Sequence, residues 1–472
     1  MAAGAVFLII VTVIFHSGRL SSSKMVHISR QAYAITNNAS KEGSLSRVYN
    51  VLKPHLDECR NLQKPKNASR MRNNVWHVQS TKDGDVMIYS AFYDDRECFK
   101  GKTFVRLLAV TNIVPKENLF CQVWYADMTN ALISPAVSDD TGRGLRVKSV
   151  KYQERLYSCE IPRLPSVYPT HVSLSDNKCA KSSINVPVVV PPKEQVHDVG
   201  VCVVVAYGDI NPVQLVEWFE LNRILGISEF NVYDSNVGAA TKQVFQYYER
   251  QQLLVRHAAA PSVDSWCKWC QKLTAIASLN DCMYRNMYRY KHMAVIDFDE
   301  FIIPAGGKGG SVKDVIARVR GTWQAEPPAY MFRNAYFFLD NKPELKTPPY
   351  LVTSRFTSRQ NVSAVGYAPK SIVNPRRCLV MQNHYCMKRT PDVSGAAFLT
   401  VKPQYALSHH YKLCHFKKDE CAKLVKSTVR DTSALPYAEA LNEAVVGALV
   451  QLRLIKIDIN GTVVMKSAKP PA

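Results

Sequence analysis

Asp297-Phe298-Asp299-Glu300 is a dense acidic cluster in a strongly basic chain of 472 residues. Two neighbouring carboxylates repel unless a cation holds them, and their hard oxygens suit Mn2+ or Mg2+. Such an ion can bridge a diphosphate and take up leaving-group charge. The plain alternative is a solvated acidic turn. His292–Ile296 (HMAVI) argues against it, because an apolar run directly before the cluster reads as a buried strand. Alternation along that strand sets Asp297 and Asp299 on one side and turns Phe298 toward the core. Tyr207, Asp209 and Asp234 follow two earlier apolar runs; they could frame a nucleotide or simply form turns. Asp281 sits in a helical stretch and serves either a ligand or helix packing. Glu300 has a neighbouring backbone group as its alternative partner. Cys267-Lys-Trp-Cys270 has zinc spacing, but no second such pair accompanies it.

The elements that would carry these residues alternate. Val201–Ala206 (VCVVVA) is apolar throughout, as in a strand buried on both faces. Asn211-Pro212 then offers an N-cap and a first helical position. Leu215, Trp218, Leu221 and Leu225 share one helical stripe, and Gly226 supplies the stop. Phe230–Tyr233, Leu253–Arg256 and His292–Ile296 read as further strands, with helices at Thr241–Arg250 and Gln271–Tyr290. Four strands alternating with helices predict a doubly wound α/β sheet, which binds ligands beyond the carboxyl ends of its strands. No glycine-rich loop follows the first strand, which excludes a dinucleotide fingerprint and a Walker loop. Upstream, residues 76–195 hold short β-prone runs at Val86–Tyr89, Val105–Val110, Phe120–Trp124 and Thr170–Leu174, separated by Asp, Gly and Asn. They predict a smaller β-rich N-terminal domain. Val186–Pro192 reads as an edge strand or linker, since proline cannot donate to a central ladder.

Residues 1–18 carry no charged side chain and as a helix would rise about 27 Å, near the thickness of a bilayer core. They read as a signal-anchor, with a cleaved signal peptide as the alternative. Residues 19–75 have the composition of a stem. Thirteen scattered cysteines and sequons at Asn38, Asn67, Asn361 and Asn460 point to an oxidising lumen. Cys378 with Cys386 and Cys414 with Cys421 are candidate local bridges, and the odd count leaves at least one thiol over. The net charge of +21 is uneven. Residues 196–305 hold nine basic and twelve acidic side chains, whereas 306–472 hold twenty-five and eleven. An acidic island in a basic lumenal chain speaks against a nucleic-acid binder, and part of the basic surplus can serve phosphates.

An ordered set of motifs resembles the glycosyltransferase family 92 proteins. It begins with Val201-Cys202, Val216-Glu217-Trp218-Phe219-Glu220, Leu225-Gly226 and Phe230-Asn231-Val232-Tyr233-Asp234. Asn280-Asp281-Cys282, Ile296–Pro304 (IDFDEFIIP), Lys370–Pro375 (KSIVNP), His384 and His409-His410-Tyr411-Lys412 follow. Lys412 stands where the family has Arg, keeping the charge but losing bidentate geometry. The resemblance covers Val199 to Phe416. It implies a Rossmann-like GT-A fold and a metal-dependent, inverting transferase using a nucleotide sugar. By the same likeness Asp297 and Asp299 hold Mn2+ (or Mg2+) and the donor diphosphate, with His410, or else His409, as a late third ligand. Tyr207, Asp209, Asp234, Asp281, Asp297 and Lys412 would serve the donor. The catalytic domain would span 196–430, leaving 431–472 as a C-terminal extension. Inversion needs a carboxylate to take the acceptor's proton. Asp340, with Asp392 as the alternative and Glu344 also available, could supply it, and their surroundings do not rank them.

The leading expectation is a Golgi β-galactosyltransferase, a single-pass type II protein with a lumenal catalytic domain. It would move galactose from UDP-galactose onto a fucose or galactose of a glycoprotein glycan. The expected partners are that acceptor and the membrane, with no nucleic acid, and an oligomer is compatible with the sequence. Two other classes compete. A metal-dependent phosphoesterase also needs paired carboxylates, but usually gathers acids and histidines from several strands. A noncatalytic lumenal glycan-binding or adhesion protein would work through 76–195.

Overall fold

The computed structural model describes Cys59, Leu62 and residues 76–465, apart from 112–118, 127–129, 141–144, 148–149, 165, 260–270, 308, 322–325, 346–347, 427 and 458–462. Residues 1–18, nearly all of 19–75, the pair Cys267 and Cys270, and the sequons at Asn38, Asn67 and Asn460 lie outside the described residues. Asn361 is described and exposed. Cys59–Arg163 and Tyr168–Ala472 form one compact unit. The other, Met1–Glu58 with Leu164–Val167, contributes only Leu164, Ser166 and Val167 to the described residues. Among the described residues no helix is long and apolar enough to cross a membrane.

Between His77 and Val189 the chain forms a nine-stranded sheet. The β-prone runs of the sequence are the centres of its strands Gly84–Asp94, Thr103–Thr111, Leu119–Tyr125 and Pro169–Ser175. One expectation is corrected. Val186–Val189 is neither edge nor linker, because it pairs with both Pro169–Ser175 and Gly84–Asp94 and closes the sheet on itself. Val186 and Pro187 face one neighbour while Val188 and Val189 face the other. The missing amide of Pro187 therefore never interrupts a ladder with strands on both sides, and closure removes an edge.

The second half is α/β. Its elements run β1 (His197–Gly208), α1 (Pro212–Ile224), β2 (Glu229–Val237), α2 (Ala239–Arg250), β3 (Leu254–Ala258), α3 (Gln271–Arg285) and β4 (Tyr290–Val295). Then come β5 (Glu300–Pro304), β6 (Ala329–Phe332), β7 (Asn334–Phe338), β8 (Lys370–Val373), β9 (Leu399–Val401) and β10 (Ala406–Lys412). The main sheet has the order β3-β2-β1-β4-β8-β6-β9, and a smaller sheet has β5-β10-β7. β3, β2, β1 and β4 are parallel, and β8 runs against β4. The order turns back between β1 and β4, the kind of switch point where such sheets open a crevice.

Local chemistry explains the elements that matter most. Asn211 accepts from Val213 N and Gln214 N, Pro212 opens α1, and Gly226 follows its last turn at φ +94°. α1 buries Leu215, Val216, Trp218, Phe219 and Leu221 on the sheet. α3 ends at Arg285, earlier than its apolar pattern predicts. Residues 286–289 turn, with Tyr290 N donating to Asn286 O, and deliver the chain into β4. The other sheet face, through Val295 and Val373, packs with Leu279 and Met283 of α3 and with Phe92, Leu108 and Leu156. A Cys202–Cys282 disulfide ties β1 to α3 within that layer.

Candidate active site

The acidic cluster is a turn. β4 ends at Val295 and β5 starts at Glu300, whose N–H donates to Asp297 O at 3.1 Å. Strand alternation therefore does not reach Asp297 and Asp299, which corrects the expected pleat; the chain here leaves the large sheet for the small one. Phe298 does pack inward, edge-on to Trp218 at 4.9 Å. Trp218 is buried, and its indole N–H donates to Asp297 O at 2.9 Å and Glu300 O at 3.1 Å. α1 thus grips the turn by its backbone and leaves the carboxylates to other partners. Glu217, buried one residue earlier, accepts from Val352 N, Thr353 N and Thr353 Oγ1. Desolvation pushes its carboxyl up to about 7, against those hydrogen bonds.

Three strands then converge on the turn. β10 pairs with β5 so that His410 lies opposite Glu300, and β7 sets Tyr336 beside His410. His410 Nε2 is 3.1 Å from Asp299 Oδ2, and its Nδ1 is 3.2 Å from Glu300 Oε1. Ligand atoms of Asp299, Glu300 and His410 all fall within 4.8 Å of one another. From β8, Lys370 Nζ reaches Asp297 Oδ2 at 2.7 Å and Glu300 Oε2 at 2.8 Å. Glu300 Oε2 also accepts from Asp297 N at 2.9 Å. Partial desolvation opposes the charge of Asp297, whose side chain is 43% exposed, but the Lys370 ammonium overcomes it and holds the carboxyl below its ordinary range. Burial prevails at Glu300, which is raised despite Lys370. Lys370 is itself raised, since Asp297 and Glu300 outweigh its desolvation.

The donor set suits a hard divalent cation: two carboxylates and one imidazole. His410 Nδ1 adds to the fit, being buried and making no aligned hydrogen bond although Glu300 Oε1 lies 3.2 Å away. Asp299 is 42% exposed on its side chain, so the cluster opens to solvent on that side. A ligand set read as Asp297, Asp299 and His410 from sequence thus meets a geometry in which Glu300 joins Asp299 and His410. Asp297 is instead engaged by Lys370.

Tyr207 and Asp209 stand exposed at the carboxyl end of β1, and Asp234 lies at that of β2. Asp234 accepts from Val237 N at 3.0 Å and is 3.6 Å from Arg256, an Asx-type turn beside the crevice. Asp281 is buried, with Tyr233 Oη and Arg285 Nε each 2.6 Å from its Oδ2, so it braces α3 against β2. Lys412 shares the His410 side of β10 by strand alternation. His409 faces the other way, with Nε2 3.4 Å from Ser433 Oγ, and burial pulls it down to about 4. Of the acids considered as base, Asp340 lies just past β7 and accepts from Cys414 N at 2.6 Å. Glu344 accepts from Thr357 N, and Asp392 accepts from Thr390 Oγ1. His384 Nδ1 donates to Pro369 O, 2.8 Å away, and burial lowers the imidazole. Sequence reasoning gave no site role to Trp218 or Lys370. A lysine opening the apolar strand Lys-Ser-Ile-Val was the available signal, since a buried ammonium demands a carboxylate.

An α/β protein with a cation-suited cluster at the carboxyl edge of its sheet defines a class, and comparison narrows it. Residues 197–444, more than half of the chain, match glycosyltransferase family 92, and the chain belongs to that family. It is also similar to the beta-1,4-galactosyltransferase galt-1 of Caenorhabditis elegans, 22% identical over 234 residues. That match covers 47% of this chain and 52% of the nematode protein, so the chain spans about half the length of that relative.

Proposed function

We propose that the chain is a metal-dependent, inverting glycosyltransferase of the GT-A type. Its donor is a nucleotide sugar, with UDP-galactose the first choice, and its acceptor is a glycoprotein glycan ending in fucose or galactose. The observation that carries this reading is the Asp299–Glu300–His410 cluster at the carboxyl edge of the sheet, inside the family match. Those three residues would hold Mn2+ or Mg2+, which when bound supplies charge stabilisation to the departing diphosphate. Tyr207, Asp209 and Asp234 line the edge where the nucleotide would lie, and Lys412 offers a cation to phosphate on the His410 side. Asp340 is the base this reading favours, being exposed in the turn just past β7, the strand that pairs with His410's strand. The same reading places the protein in the Golgi lumen, anchored through residues 1–18, with the catalytic domain at 196–430 after a β-rich domain at 76–195. The disulfides among the described residues support the oxidising compartment.

The test is transfer from UDP-galactose to a fucose- or galactose-terminated glycan by the full chain, with and without EDTA. Mn2+-dependent product with inverted anomeric configuration supports the reading. Hydrolysis of a phosphate ester without transfer would point to the phosphoesterase class, and glycan binding without turnover to the adhesion class.

A further inference from the structure

Lys370 is the charged group at the site whose position the proposed chemistry does not require. It opens a strand whose four residues are all buried, and its side chain is 1% exposed. An ammonium so enclosed cannot meet a soluble phosphate without abandoning two carboxylates at 2.7 and 2.8 Å. Its arrangement divides the acids by oxygen. Asp297 Oδ2 and Glu300 Oε2 face Lys370, while Glu300 Oε1 and Asp299 Oδ2 face His410.

We propose that Lys370 is a positioning residue that sets the charge of the cation site and thereby its preference for divalent ions. The inference rests on reading the cluster as a cation site. Asp297, Asp299 and Glu300 bring three negative charges, Lys370 returns one positive, and a ligating His410 is neutral. The sum matches a doubly charged ion. Without Lys370 the same turn would present three uncompensated carboxylates, a better match to a trivalent ion and a poorer one to Mn2+. Lys370 also pins the Oε2 of Glu300, so that the other oxygen of that carboxylate is the one turned toward His410. Being buried, it does this through Asp297 and Glu300 and not by touching substrate.

The experiment measures Tb3+ and Mn2+ affinities of the full chain by Tb3+ luminescence and its displacement by Mn2+. A unit charge a few ångströms away should alter the Tb3+ to Mn2+ affinity ratio by about tenfold or more. Lys370→Met should raise that ratio by this factor, and Lys370→Arg should stay within about threefold of wild type because it keeps the charge. Asp297→Asn removes the opposite charge and should lower the ratio, so it carries the test if Lys370→Met fails to fold. A purely structural lysine would weaken both ions together, and an unmoved ratio in the folded variants overturns the inference. Wild-type protein that binds neither ion removes the cation site beneath it. Sugar transfer by a protein whose ratio does not move would sink this inference while leaving the proposed function standing.

Discussion

At the scale of single residues, two side chains make opposite demands on charge. Asp299 is open and must stay ionised to serve a cation, so Asp299→Asn keeps size and removes the charge. Turnover should fall by about 10²–10³, the range for one electrostatic group, while the melting temperature holds. Near-normal, EDTA-insensitive turnover by the folded variant would sink the site. Glu217 is closed and its folded-state carboxyl is raised to about 7. A raised carboxyl binds its proton more tightly when folded, so its contribution is full below the unfolded value near 4.5 and is lost as pH rises through 7. The swing is on the order of 3 kcal/mol, since the group is almost wholly enclosed. Denaturation of wild type against Glu217→Gln at pH 5 and pH 8 should show that the variant lacks this loss. Parallel pH profiles for the two proteins would refute it.

At the scale of elements, the site depends on α1 holding the β4–β5 turn. Trp218→Phe keeps an aromatic ring against Phe298 but leaves Asp297 O and Glu300 O without their indole donor. A stability loss of about 1 kcal/mol or more is expected for the lost indole hydrogen bonds, although Asp297 O keeps the Glu300 N–H. Because the turn carries the cluster, kcat should drop by about tenfold or more through misplacement. Steady-state kinetics with a denaturation curve on the same preparation checks both; a destabilised variant with unchanged kcat would show that the turn holds itself. The same elements show what could be read in advance. The Asn211 cap, the Gly226 stop and the apolar strands were legible because each depends on a few adjacent residues. The turn at Asp297–Glu300 was not, since the end of the pleat is imposed by β5 pairing with β10, far along the chain. His409 and His410 illustrate the same limit. Alternation says that they face opposite sides, but only the β5 and β7 neighbours decide which side holds the acids. The role of Val186–Val189 as a closing strand was hidden for a similar reason, because its second partner is Gly84–Asp94.

At the scale of the whole molecule, covalent cross-links divide into two kinds. Cys59–Cys179, Cys121–Cys159 and Cys202–Cys282 span 120, 38 and 80 residues; the second links two strands of the N-terminal sheet and the third ties β1 to α3. Cys378–Cys386 and Cys414–Cys421 span 8 and 7 residues and close local loops. Both local bridges were anticipated from spacing, whereas the long ones carry no spacing signal. Loop-closure entropy grows with the logarithm of length, so the two kinds should differ in their effect on stability. Replacing Cys202 and Cys282 by Ala should cost about 2 kcal/mol more than replacing Cys378 and Cys386, judged by urea denaturation of secreted protein. Non-reducing peptide mapping of the wild type must first recover these five pairs among the described residues. Among the described cysteines Cys98 is the one left free, and burial raises its thiol to about 11, so alkylation at neutral pH should be slow there. Secreted protein with these ten cysteines reduced would remove the support for an oxidising compartment. Equal losses from the long and short pairs would instead show that the bridges act through native packing around them, not by restraining the unfolded chain.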